Sequence, residues 1–120
     1  MPATPSPDKN FLSPAALSIL LALKESEKHG YAILLAVAER TQGKVNLLPG
    51  TLYNLLKRML DDGWIEELDE RPDPALDDER RRYYRLTGLG ERIAVQEAER
   101  MQTLVNMARQ SGLLAAQDGG

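Results

Sequence analysis

No cysteine occurs in the 120 residues, and His29 is the sole histidine. The first absence removes disulfides and thiolate metal sites, and the second removes any multi-histidine metal centre. No apolar run reaches the ~18 residues that a membrane-spanning helix needs, and the N-terminus has no apolar signal-peptide core. A cytoplasmic location is therefore the expectation. Positive charge is not in excess either: 15 Lys and Arg stand against 18 Asp and Glu, a net charge of −3. Domains that coat nucleic acid indiscriminately are usually basic, so this balance counts against one. A sequence-reading protein with a local basic face remains open. No cofactor is expected, because no residue set that would hold one is present.

What is present suits one modest globular domain, with 42% apolar and 28% charged residues. Residues 1–12 contain Pro2, Pro5 and Pro7 with little apolar pattern and read as a disordered arm. Ser13-Pro14 is a helix start, since serine caps free amides and proline suits the first helical position. The helix over 14–25 is apolar nearly all round, at Leu17, Ile19, Leu20, Leu21, Ala22 and Leu23. A surface helix of a small monomer shows only a stripe, so this one predicts cover from a second subunit. Lys28-His29-Gly30 breaks the pattern, with Gly30 supplying a turn or a close backbone approach. A second helix over 31–40 turns Ile33, Leu34 and Val37 inward.

Leu48-Pro49-Gly50-Thr51 opens a third helix that runs through 62. Its apolar residues Leu52, Leu55, Leu56, Met59 and Leu60 follow the i, i+3, i+4, i+7, i+8 template. The opposite face carries Gly50, Asn54, Lys57, Arg58 and Asp61, flanked by Thr51 and Tyr53, and Gly63 is the stop signal. A short strand over 64–68 and a second over 81–86 enclose a polar, proline-bearing segment and form a hairpin. Thr87 then caps a last helix over 88–109, and 111–120 reads as a disordered tail. The order helix, helix, helix, strand, strand, helix is that of a mainly α winged helix-turn-helix with an added long C-terminal helix. The boundaries are 13–87 for the winged unit and 88–110 for a dimerisation helix.

The third helix carries the chemistry. Its outer face has no acid before Asp61, and it presents Asn54 and Lys57, which suit adenine and guanine edges respectively. It also follows a turn after another short helix, as a recognition helix does. A merely solvated face is the bland alternative, and the adjoining wing favours recognition. In the wing, Arg80-Arg81-Arg82 follows Asp77-Asp78-Glu79. Arg82 shares a side with Tyr84 and Leu86, so Arg81 is the better candidate for phosphate contact. Tyr31 either donates its hydroxyl to a phosphate or packs.

Catalysis finds no support. His29 has no partner constellation. Asp61, Asp62, Glu66 and Glu67 lack a base, nucleophile or metal set. Gly88-Leu89-Gly90 has Ile93 where a dinucleotide loop needs its third glycine.

Taken together, Leu12-Ser13-Pro14, Lys28-His29-Gly30-Tyr31, Leu48-Pro49-Gly50-Thr51-Leu52-Tyr53, Lys57-Arg58, Asp62-Gly63-Trp64-Ile65-Glu66 and Arg81-Arg82-Tyr83-Tyr84-Arg85-Leu86-Thr87 resemble the PadR family of repressors. The resemblance spans roughly 12–108 and is to the short subfamily with one C-terminal helix. It implies a dimer made by the first and last helices, a third helix in the major groove and a wing on the backbone. Trp64 stands where the family has a small aliphatic residue, and Gly88 where it has proline. The last helix lacks the tryptophan that drug-sensing members can carry as a stacking plate.

The expected DNA-contacting residues are thus Tyr31, Gly50, Thr51, Tyr53, Asn54, Lys57, Arg58 and Arg81. The expected dimer residues are Leu17, Leu20, Ile93, Met101, Leu104 and Ala108. The expected partners are double-stranded DNA, a second copy of the chain, and a small-molecule effector at the dimer seam around Met101 and Met107, adaptable packers. Trp64 is expected to plug the gap between hairpin and third helix. The competing reading is a winged-helix protein-interaction module that does not bind DNA, favoured by the acidic balance.

Overall fold

The computed structural model describes residues 12–68 and 82–115. The expectations for the arm before Leu12, for the wing loop including Arg81, and for the last five residues lie outside these. Four helices and a small sheet follow in the order α1 (Pro14–Glu25), β1 (Lys28–His29), α2 (Gly30–Arg40), α3 (Pro49–Asp61), β2 (Ile65–Glu67), β3 (Tyr83–Leu86) and α4 (Gly88–Gln110). The chain is mainly helical with a winged helix-turn-helix arrangement, as its sequence pattern predicts.

Helix starts follow capping chemistry. The Ser13 hydroxyl accepts from the Ala16 amide at 3.0 Å, and the Thr87 hydroxyl accepts from the Gly90 amide at 3.0 Å. For α2 the cap is His29, whose Nδ1 accepts from the Ala32 amide at 3.2 Å. His29→Ala removes that acceptor and is expected to lower stability by about 1 kcal/mol, whereas His29→Asn, which can still cap, stays near wild type. Urea unfolding of the two variants checks this, and equal losses would mean that the imidazole matters by packing on Tyr83 rather than by capping.

The core corrects two expectations about α1. Ala16, Leu17, Ile19, Leu20, Ala22 and Leu23 are all buried within the chain itself. α2, β3 and α4 pack around this helix, so most of its apolar surface is answered inside one subunit, with Leu21 left exposed. Leu20 is 0% exposed and Leu17 nearly enclosed, so neither is available to a partner; Leu21 is the exposed leucine of α1. Leu12, placed with the arm on sequence, is also buried in this core.

The sheet has a third strand that the sequence reading took for a break. Lys28 and His29 pair antiparallel with β3, opposite Tyr84 and Tyr83, giving the strand order β1-β3-β2. Two residues are too few to show an alternating pattern, and their partner lies far along the chain. Lys28 earns its place locally as well. Its ammonium donates to the Ala22 carbonyl at 2.8 Å and the Ser26 hydroxyl at 3.0 Å, closing the end of α1. Burial lowers the Lys28 pKa below its usual value.

β2 and β3 form the hairpin, with Ile65 opposite Leu86, Glu66 opposite Arg85 and Glu67 opposite Tyr84. β2 starts one residue later than expected because Trp64 serves the end of α3 instead. Gly63, at φ 79°, takes the left-handed turn. Its amide donates to Leu60 at 3.1 Å, and the Trp64 amide donates to Met59 at 2.9 Å. This is the Schellman arrangement, which satisfies the free carbonyls of a helix end. α4 is tied to the same spot, because Thr87 donates from its amide to the Trp64 carbonyl at 3.0 Å and from its hydroxyl to the Gly63 carbonyl at 2.7 Å. At its far end, residues 111–115, expected as part of a disordered tail, instead close α4 with a turn in which the Leu114 amide donates to the Ala108 carbonyl at 3.1 Å. No helix among the described residues is long and apolar enough to cross a membrane.

Candidate nucleic-acid interface

α3 buries one stripe and presents the other. Leu52, Leu56 and Met59 are sealed in the core, with Leu55 and Leu60 half-buried beside them. Gly50, Thr51, Tyr53, Asn54, Lys57 and Arg58 are all exposed. The amphipathic pattern read from the sequence is therefore also the division between core and surface. Nothing lies within 4 Å of where a Cβ on Gly50 would stand, so the first turn of α3 is open at that point.

Tyr31 and Tyr53 are exposed on adjacent helices, and Gly30 explains how they fit. A Cβ built on Gly30 would lie 2.7 Å from the Tyr53 hydroxyl oxygen. The missing side chain lets the phenol of α3 lie against the start of α2. Tyr53 thus helps fix the angle between the two helices while its other side stays in solvent.

The wing root adds a polar group beside this face. The side chains of Ile65 and Glu67 share one face of β2 with Tyr84 and Leu86 of β3, and Arg82, just before β3, reaches Glu67 on that face. Ile65 and Tyr84 are buried, which marks this as the face that packs inward. Burial pushes the Tyr84 phenol above its ordinary pKa; Glu67 and Tyr53 push it further, and Arg82 opposes them. Glu67, Arg82 and the Tyr53 of α3 thus all bear on one phenol. The guanidinium of Arg82 meets the Glu67 carboxylate at 3.3 Å. Sequence reasoning missed this group, assigning Arg82 to the core side; the side is correct, but Arg82 stands at its solvent end and is 72% exposed. The other wing pair, Arg85 with Glu66, lies on the opposite face.

Trp64 is buried where α3 ends. It lines a cavity of about 300 Å³ together with Leu12, Ser13 and Ala16 at the start of α1 and Leu55, Arg58 and Met59 of α3. That α1 shares this cavity was not legible in the sequence.

The expected dimer residues divide into three groups. Leu17 and Leu20 belong to the internal core, as described above. Ile93 and Met101 are half-buried against that core. Leu104 is 59% exposed, and Ala108 is half-buried. Past Glu97, α4 contributes no buried residue, yet Leu104, Val105 and Met107 are apolar and exposed there. Glu97 itself is buried and ion-paired with Arg100 one turn on.

Comparison with known proteins bears on this arrangement. The family model of the transcriptional regulator PadR-like family matches residues 19–96. A transcriptional regulator from Clostridium thermocellum superposes with a TM-score of 0.68 at 23% identity, covering 83% of this chain and 97% of that one. A PadR family regulator from Clostridium difficile gives 0.67 at 24% identity, with 82% and 97% covered. Bacillus subtilis PadR, solved in complex with operator DNA, gives 0.57 at 23% identity, covering 68% of this chain and 44% of that one. These similarities speak to the fold. No curated protein matches significantly. The family match spans well over half of the sequence, and the chain belongs to the PadR-like family of transcriptional regulators.

Proposed function

We propose that the protein is a homodimeric, sequence-specific DNA-binding regulator that acts as a repressor on an inverted-repeat operator. The observation that carries this reading is the outer face of α3, where Thr51, Asn54, Lys57 and Arg58 are exposed together and no acid precedes Asp61. In this reading α3 enters the major groove, Asn54 and Lys57 meet base edges, and Tyr31, Tyr53 and the wing, including Arg81, meet phosphates. Bacillus subtilis PadR with its operator DNA lends support by fold. Repression requires only that the dimer occupy DNA.

Dimerisation is proposed through the outer face of α4, where Leu104 and Met107 lie a turn apart and are both exposed among the described residues. The seam between the two copies of α4 is the proposed place for a small-molecule effector.

Selection from a random DNA pool tests the proposal. A two-fold dimer is expected to enrich inverted repeats whose half-sites lie about one or two helical turns apart. The net charge of −3 favours a second reading, a module that binds proteins and not DNA. Enrichment of nothing, with no salt-dependent binding to any duplex, would establish that second reading over the first.

A further inference from the structure

Arg82 does not stand alone at the wing root. Its guanidinium meets the Glu67 carboxylate at 3.3 Å, across the β2–β3 pair, and their side chains are 72% and 39% exposed. The pair lies on the same face of the hairpin as Ile65 and Tyr84, at its solvent end. β2 follows α3 through a short turn and packs against it, so the wing root lies beside the proposed recognition helix. Glu67, Tyr53 and Arg82 all bear electrostatically on the phenol of Tyr84. The second wing pair, Arg85 with Glu66, differs in just this respect. It lies on the opposite face, and its further acidic neighbour is Glu27, beyond the end of α1.

We propose that Glu67 is a built-in competitor for phosphate: it holds Arg82 in the free protein and thereby tempers sequence-independent affinity for DNA. This rests on the DNA-binding reading above. An exposed ion pair holds weakly, so a phosphate oxygen can take the guanidinium from Glu67 when DNA arrives. The exchange leaves the carboxylate beside the phosphate backbone, where it is repelled and recruits a cation. A phosphate contact normally releases a counterion, and the cation taken up by Glu67 cancels that gain. Arg82 therefore positions the wing on the backbone while adding little to non-specific binding. A regulator gains from such restraint, since non-specific sites vastly outnumber operators.

The test compares wild type, Glu67→Gln, Arg82→Ala and the double variant, each as the full chain. Fluorescence anisotropy would follow binding to a labelled random-sequence duplex and to the selected operator over a range of salt. Glu67→Gln is expected to tighten random-sequence binding roughly threefold or more at low salt and to steepen the salt slope by about one unit. In the Arg82→Ala background the same change is expected to give a clearly smaller gain, because the partner it releases is gone. Wild-type affinity and slope in Glu67→Gln would overturn the proposal. So would an equal gain in both backgrounds, which would make Glu67 a general negative charge unconnected with Arg82. If wild type binds neither duplex, the failure belongs to the DNA-binding reading itself, and the operator arm shows which has failed.

Discussion

Lys57→Glu is expected to abolish specific operator binding while leaving the protein folded. Lys57 is exposed in the middle of α3 and makes no ion pair among the described residues, so reversing its charge breaks nothing inside the chain. In the groove the effect is large for two reasons. A good base contact contributes about 1–3 kcal/mol of discrimination, and a carboxylate in its place faces guanine acceptors and flanking phosphates. A two-fold dimer suffers both losses twice. The operator Kd should therefore rise on the order of a hundredfold or more. Anisotropy at fixed salt measures it, and an unchanged melting temperature certifies the fold. A variant that binds the selected operator as tightly as wild type would show that this face of α3 does not read DNA.

The same residue shows why the face of α3 was legible from sequence. Leu52, Leu55, Leu56, Met59 and Leu60 recur with the period of one helix, so the core side is visible without any partner, and Lys57 falls opposite by arithmetic. Caps at Ser13 and Thr87 and the stop at Gly63 are likewise local signals, each written within a few residues of its effect. What could not be read was long-range. β1 exists because β3 arrives more than fifty residues later, and Lys28-His29 alone carries no strand pattern. Tyr53 lies against Gly30 across two helices, and Glu67 meets Arg82 across a hairpin. The sharpest error concerned α1. An apolar surface nearly all round a helix does not say which chain covers it, nor that every side is covered, since Leu21 stays exposed. Here α2, β3 and α4 of the same chain supply the cover, and Leu20 is sealed inside.

That correction decides which residue can test the dimer. Leu20→Asp would place a carboxylate in the chain's own core and unfold it, whatever the oligomeric state. Leu104 is different. At 59% exposure on the outer half of α4 it has little internal packing to lose, so Leu104→Asp breaks little within one subunit. If two copies of α4 bury this face, the variant must bury an unpaired carboxylate at the seam, once in each subunit. Several kcal/mol per site, counted twice, should raise the dimer dissociation constant by on the order of a thousandfold or more. Sedimentation velocity is expected to show monomer at concentrations where wild type is dimer. Operator binding should fall with it, because one recognition helix reaches one half-site only. Loss of the fold in circular dichroism would also fit, since dimers of this kind often have no stable monomer. Met107→Asp, one turn along the same face, should reproduce the result, whereas Glu99→Gln elsewhere on the exposed surface of α4 should not. A folded, operator-binding dimer of Leu104→Asp would mean that the exposed apolar half of α4 is covered by something other than its own copy.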